Sequence, residues 1–116
     1  MKIYHNSRCS KSRQGLDLLK DSEQDFEIIN YLETNPQKEE IQNLLSMLGM
    51  EKPIDLIRKT EAIWKENFKG KDLSDDEIIE AMTQNPRLIE RPIVVKGNKA
   101  VIGRPLENIE ALLKGE

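Results

Sequence analysis

Lys2-Ile3-Tyr4-His5-Asn6-Ser7-Arg8-Cys9-Ser10-Lys11-Ser12-Arg13 is the stretch that decides the fold. Residues 2–5 read as a short strand that breaks into a polar loop. Ser10 or Ser12 then offers the hydroxyl that caps a helix, and Leu16, Leu18 and Leu19 give that helix its apolar side. A cysteine is thus set between a strand end and a helix start.

The same alternation continues downstream. Phe26 to Tyr31 predicts a second strand with Ile28 and Ile29 buried. Asn35-Pro36 interrupts it and opens a helix in which Ile41, Leu44, Leu45 and Leu48 recur at i, i+3, i+4 and i+7, with Gly49 as its stop. The first half is therefore β-α-β-α, and its crossover requires parallel strands. Residues 53–89 read as a helical insertion. Pro53 suits a first helical turn, and Ser74-Asp75-Asp76-Glu77 fits a capping box before Ile78, Ile79 and Met82. Ile93-Val94-Val95 and Ala100-Val101-Ile102 then flank Gly97-Asn98, a two-residue hairpin signal. Pro105 opens a last helix with Leu106, Ile109, Leu112 and Leu113 inward. The sum is one α/β domain over residues 1–116. It has a mixed four-stranded sheet flanked by helices, with the insertion at about 53–89.

Composition narrows the function classes. A chain of 116 residues, 37% of them hydrophobic, buries one modest core. No apolar run approaches the roughly 20 residues of a membrane span, and the N-terminus enters a strand pattern without a signal peptide. A single cysteine allows no internal disulfide, and a free thiol fits a reducing cytoplasm. Residues 1–13 contain Lys2, Arg8, Lys11 and Arg13 and no acid, whereas the rest of the chain has 14 basic and 21 acidic side chains. The only Cys and the only His both lie in the basic stretch, where positive potential attracts anions and favours a thiolate.

Cys9 is the candidate nucleophile. At a helix start, unpaired backbone N–H groups and the helix dipole favour a negative sulfur, and thiol pKa values fall from about 8.5 to roughly 3.5–7.5 in such places. A free Cys is ordinarily a small buried hydrophobe. The charged and polar neighbours of Cys9 favour the reactive reading instead. His5, when protonated, can stabilise the thiolate from the strand end, although a lone His is as often simply a hydrogen-bonded side chain. Ser12 makes the motif Cys-x-x-Ser, so its hydroxyl can donate to a thiolate but cannot form a disulfide with it. A tyrosine-phosphatase loop is excluded because it needs Arg at position 15, which is Gly. A Cys-x-x-Cys switch is excluded by Ser12. One Cys and one His do not make a usual zinc site, so neither a metal nor a bound cofactor is expected.

His5-Asn6-x-x-Cys9-x-x-Ser12-Arg13 resembles the active-site loop of the glutaredoxin-coupled arsenate reductases, the ArsC family. Tyr31-Leu32-Glu33, Leu56-Ile57-Arg58-Lys59, Glu90-Arg91-Pro92-Ile93-Val94-Val95 and Gly103-Arg104-Pro105 match further blocks in order. Departures such as Ser7-Arg8 fall at variable places. The resemblance implies a thioredoxin-like fold with a helical insertion, a catalytic Cys9, and Arg58, Arg91 and Arg104 as ligands of the oxyanion. It also implies a cis Arg91-Pro92 bond at the start of the strand facing the cysteine.

Arsenate reduction through a Cys9 adduct is what this resemblance implies, with glutathione and then glutaredoxin supplying the resolving thiols that a one-cysteine chain lacks. Guanidinium forks suit a tetrahedral anion that gains further charge under thiolate attack. The expected protein is a cytoplasmic monomer without nucleic-acid or membrane partners. Two other readings stay open, since a fold does not fix a function. One is a related glutathione-dependent thiol oxidoreductase with another substrate. The other is an Spx-type regulator that binds RNA polymerase, against which the missing second cysteine and the arginine set both argue.

Overall fold

The computed structural model describes residues 1–115, and its chain forms two compact units. The first joins Met1–Thr34 to the chain from Arg91 onward, and the second is Asn35–Glu90.

In the first unit, β1 (Lys2–Tyr4), α1 (Ser10–Asp21) and β2 (Glu27–Ile29) form a β-α-β crossover unit, followed by the single helical turn α2 (Tyr31–Thr34). β3 (Ile93–Lys96), β4 (Lys99–Ile102) and α6 (Glu107–Leu113) complete it. The sheet order is β2-β1-β3-β4. β1 and β2 are parallel, as a helical crossover demands, while β1 with β3 and β3 with β4 are antiparallel. Lys96 pairs with Lys99 around the two-residue turn, where Gly97 takes φ +64°, a conformation open to glycine. Ile3 lies opposite Val94 in register, so both side chains project to one face. There they are fully buried with Leu19 of α1 and Ile109 and Leu112 of α6.

The second unit holds α3 (Lys38–Leu48), α4 (Ala62–Asn67) and α5 (Asp75–Gln84), with 3₁₀ turns at Pro53–Leu56 and Pro86–Leu88. α3 packs on α5, burying Ile41, Leu44 and Leu45 on one side and Ile78, Ile79 and Met82 on the other. Gly49 ends α3 at φ +72°, as an αL stop does. Ser74 and Glu77 form the reciprocal capping box that starts α5. Arg58 N donates to Leu88 O at 2.7 Å and Glu90 N to Leu56 O at 2.9 Å, around an Ile57–Ile89 antiparallel bridge.

Several local expectations need correction. Cys9 itself is the N-cap residue of α1, and neither Ser10 nor Ser12 caps it. β2 is shorter than 26–31. Ile28 is 42% exposed and Ile29 only half-buried, because β2 is an edge strand and adjacent residues point to opposite faces. Residues 53–89 are not continuously helical: the bridge at Ile57 and Ile89 interrupts them with extended backbone. Pro105 lies two residues before α6, whose N-cap is Leu106.

Arg91-Pro92 is cis, as the resemblance implies, and Arg104-Pro105 is cis as well. Pro92 packs between two glycines. A Cβ on Gly103 would sit 2.6 Å from Ile109 Cδ1 and 2.9 Å from Pro92 Cγ, and one on Gly15 would sit 2.9 Å from Pro92 Cγ. Overpacking of this kind typically costs about 1–3 kcal/mol. At Gly15, inside α1, alanine recovers about 1 kcal/mol of helix propensity, an offset that Gly103 lacks. Gly103→Ala is therefore expected to lower the urea midpoint more than Gly15→Ala, with the m-value unchanged.

Candidate active site

The loop between β1 and α1 is tied down before the sulfur is reached. His5 N donates to Ile29 O at 2.9 Å, which fixes the strand end. Cys9 N donates to Asn6 O at 3.0 Å, closing a turn, and Arg8 N donates to Asn6 Oδ1 at 3.0 Å. Arg13 Nη1 reaches back to Ser7 O at 2.8 Å. Cys9 is thus held at the helix N-cap, half-buried.

Two arginines from the far end of the sequence reach it. Arg104 Nη2 lies 3.2 Å from Cys9 Sγ. Its Nε donates to Arg91 O at 2.8 Å, which aims the guanidinium. Arg91 is buried and its side chain also hydrogen-bonds the sulfur. Burial alone would raise the Cys9 pKa. It is outweighed by the Ser12 backbone N–H, the Arg104 charge, the Arg91 hydrogen bond and the Lys11 backbone N–H, which together hold the thiol below its ordinary range. Alkylation by iodoacetamide as a function of pH should accordingly show a midpoint below about 8.5, the free-cysteine value. The reactive thiolate then persists above that midpoint and is lost as pH falls through it.

His5 is the hydrogen-bonded side chain that a lone His often is, and the Ser12 hydroxyl takes another part than the expected donation to the sulfur. Burial lowers the His5 pKa and outweighs the raising effect of its bond at Ser12, with Arg13 and Lys20 adding to the lowering. Burial therefore works against a cationic His5. Its Nδ1 is 2.8 Å from Ser12 Oγ, and that oxygen also accepts Asn6 N–H at 2.9 Å. Ser12 is fully buried, so its hydroxyl braces the loop while its backbone N–H serves the sulfur.

Arg58 belongs to the second unit. The hydrogen bond from its backbone to Leu88 O fixes its main chain, and its Nε is 3.7 Å from Glu61 Oε1. Its Nη1 is buried and meets no hydrogen-bond partner among the described residues. A buried cationic donor without a partner is costly and well suited to an incoming anion. No group of three metal-ligating side chains occurs among the described residues, and none of their helices is long and apolar enough to cross a membrane.

Sequence reasoning gives no role to Asn6, which shapes the cysteine turn, or to Gly15 and Gly103, which seat Pro92. The Asn6 signal was present, since Asn before a short polar loop favours an Asx turn. The glycine packing depends on residues far apart in the chain.

A cysteine at a helix N-cap, with the Arg104 guanidinium on its sulfur and a four-stranded β2-β1-β3-β4 sheet beneath it, defines a thiol protein of the thioredoxin-like fold. The sequence model of the ArsC family matches residues 4–112, and the chain belongs to that family. The protein YfgD of Escherichia coli (strain K12) is 47% identical over 110 residues, which cover 94% of this chain and 92% of that protein. The arsenate reductase of Neisseria meningitidis serogroup A is 40% identical over 114 residues, 97% of each chain. The solved structure of the arsenate reductase from Vibrio cholerae superposes with a TM-score of 0.89 at 43% identity, covering 95% of this chain and 96% of that one.

Proposed function

We propose that this chain is a thiol-dependent oxidoreductase that reduces arsenate to arsenite, with Cys9 as nucleophile and glutathione and glutaredoxin as its thiol partners. The observation that carries the reading is the Arg104 guanidinium 3.2 Å from the Cys9 sulfur and aimed by the Arg91 carbonyl. Relatives named as arsenate reductases along the full length of the chain support the choice of oxyanion.

The chemistry runs as follows. The Cys9 thiolate attacks arsenic, an S–As bond forms, and one arsenate oxygen leaves as water after taking up protons. Arg91 and Arg104 neutralise the charge that accumulates on the remaining oxygens, and the family resemblance alone adds Arg58 as a further ligand. A glutathione thiol then becomes linked to Cys9 as a mixed disulfide. The two sulfurs are together oxidised by two electrons, arsenic(V) becomes arsenic(III), and arsenite departs. Glutaredoxin takes the glutathionyl group and returns Cys9 to the thiol. His5 and Ser12 act by holding the loop. A cytoplasmic setting supplies the reducing thiols this cycle needs and suits a free Cys9.

The test is NADPH oxidation coupled through glutathione reductase, with glutathione and glutaredoxin present. Oxidation that depends on both arsenate and this protein is the expected result. A rate unchanged by arsenate would refute the reading.

A further inference from the structure

The cations around Cys9 fall into two sets. Arg91 and Arg104 bear on the sulfur, and Arg13 is spent on the Ser7 carbonyl. The side chains of Arg8 and Lys11 do neither, although the Lys11 backbone N–H serves the sulfur. Arg8 is exposed on the Asn6–Cys9 turn, its backbone fixed by Asn6 Oδ1, immediately before the nucleophile. Lys11 lies in the first turn of α1, two residues after it. Neither makes an ion pair among the described residues, and the sequence holds no Asp or Glu before Asp17. Two side chains without an ion pair, next to a half-buried sulfur in a segment with no acidic residue before Asp17, leave positive charge for an arriving anion.

The oxyanion is already served by the inner arginines. The reactant that still has to reach the sulfur from solvent is the second thiol. We propose that Arg8 and Lys11 select that co-substrate by its carboxylates, so that the site takes a small anionic thiol in preference to a neutral one. This rests on Cys9 being the reacting thiol of the proposed reaction. Opposite charges on the collar and the thiol raise the encounter rate and fix the approach, and a neutral thiol gains neither.

Thiol–disulfide exchange tests the selection without arsenate. The Cys9 thiolate attacks one sulfur of a disulfide, a Cys9–S–S–R bond forms, and the other half leaves as a thiolate, with no outside oxidant. Reduced protein is mixed with glutathione disulfide, which is anionic, or with 2-hydroxyethyl disulfide, which is neutral, and the mixed disulfide is followed by intact mass. The readout is the ratio of the two rate constants, which cancels any change in the intrinsic reactivity of Cys9. The ratio should fall roughly three- to tenfold in the Arg8→Gln/Lys11→Gln variant, the scale of two exposed ion pairs, and should fall in wild type as salt is raised. Lys99→Gln/Lys114→Gln, an equal charge change on β4 and just after α6, should leave it as it was. An unchanged ratio in the double variant overturns the proposal even if arsenate is reduced. A falling ratio in a protein that fails to reduce arsenate upholds thiol selection and removes only the oxyanion.

Discussion

Cys9→Ser is expected to reduce the coupled arsenate activity to background while leaving the fold intact. Serine differs by one atom, and Cys9 is half-buried in a loop whose hydrogen bonds come from Asn6, Ser7, Ser12 and the backbone rather than from the sulfur. The chemical loss is much larger than the structural one. The groups that favour a thiolate over a thiol cannot bring an alcohol near ionisation at pH 7, so the nucleophile is lost. No second cysteine exists to take over. Substantial arsenate-dependent turnover in Cys9→Ser, with an unchanged denaturation midpoint, would remove Cys9 from the mechanism.

Replacing Arg104 or Arg91 with alanine should lower kcat/KM for arsenate roughly ten- to hundredfold, since a hydrogen bond to a charged group is worth about 1.5–3 kcal/mol. The two variants should differ in what else they disturb. Arg104→Ala removes both the charge nearest the sulfur and the contact to the Arg91 carbonyl, so the Cys9 alkylation midpoint should rise. Arg104→Lys keeps a charge but cannot bond the sulfur and the carbonyl at once with a rigid fork, so it should restore the midpoint better than the kinetics. Arg91 is 5% exposed, so Arg91→Ala also empties buried volume and should lower stability. Wild-type kcat/KM in either alanine variant would take that residue out of the site.

Features that are local in sequence are legible in it directly. Ile41, Leu44 and Leu45 announce α3 by their spacing, Ser74 and Glu77 announce the start of α5, and Gly97-Asn98 announces the hairpin. The position of Cys9 between β1 and α1 follows from the same patterning. What periodicity could not settle is which face each strand residue meets. Ile28 looks like core by composition and is exposed because β2 ends the sheet. Side-chain direction at the loop was equally hidden. Ser12 has the chemistry to serve a thiolate, but burial turns its hydroxyl to His5 and Asn6. Arg104 meets Cys9 across 95 residues of sequence, and only the matching blocks of a known family brought the two into one site in advance. The tight seat of Pro92 between Gly15 and Gly103 has no sequence signature, because it depends on atoms brought together by the finished fold.

The most direct measurement is a single turnover with reduced protein, arsenate and glutathione, without glutaredoxin, following the intact mass of the protein and the arsenite released. One glutathionyl group added at Cys9 for each arsenite formed is the expected result, with both products absent when arsenate is left out. Arsenite release with Cys9 remaining a free thiol throughout, or no arsenite at all, would contradict it.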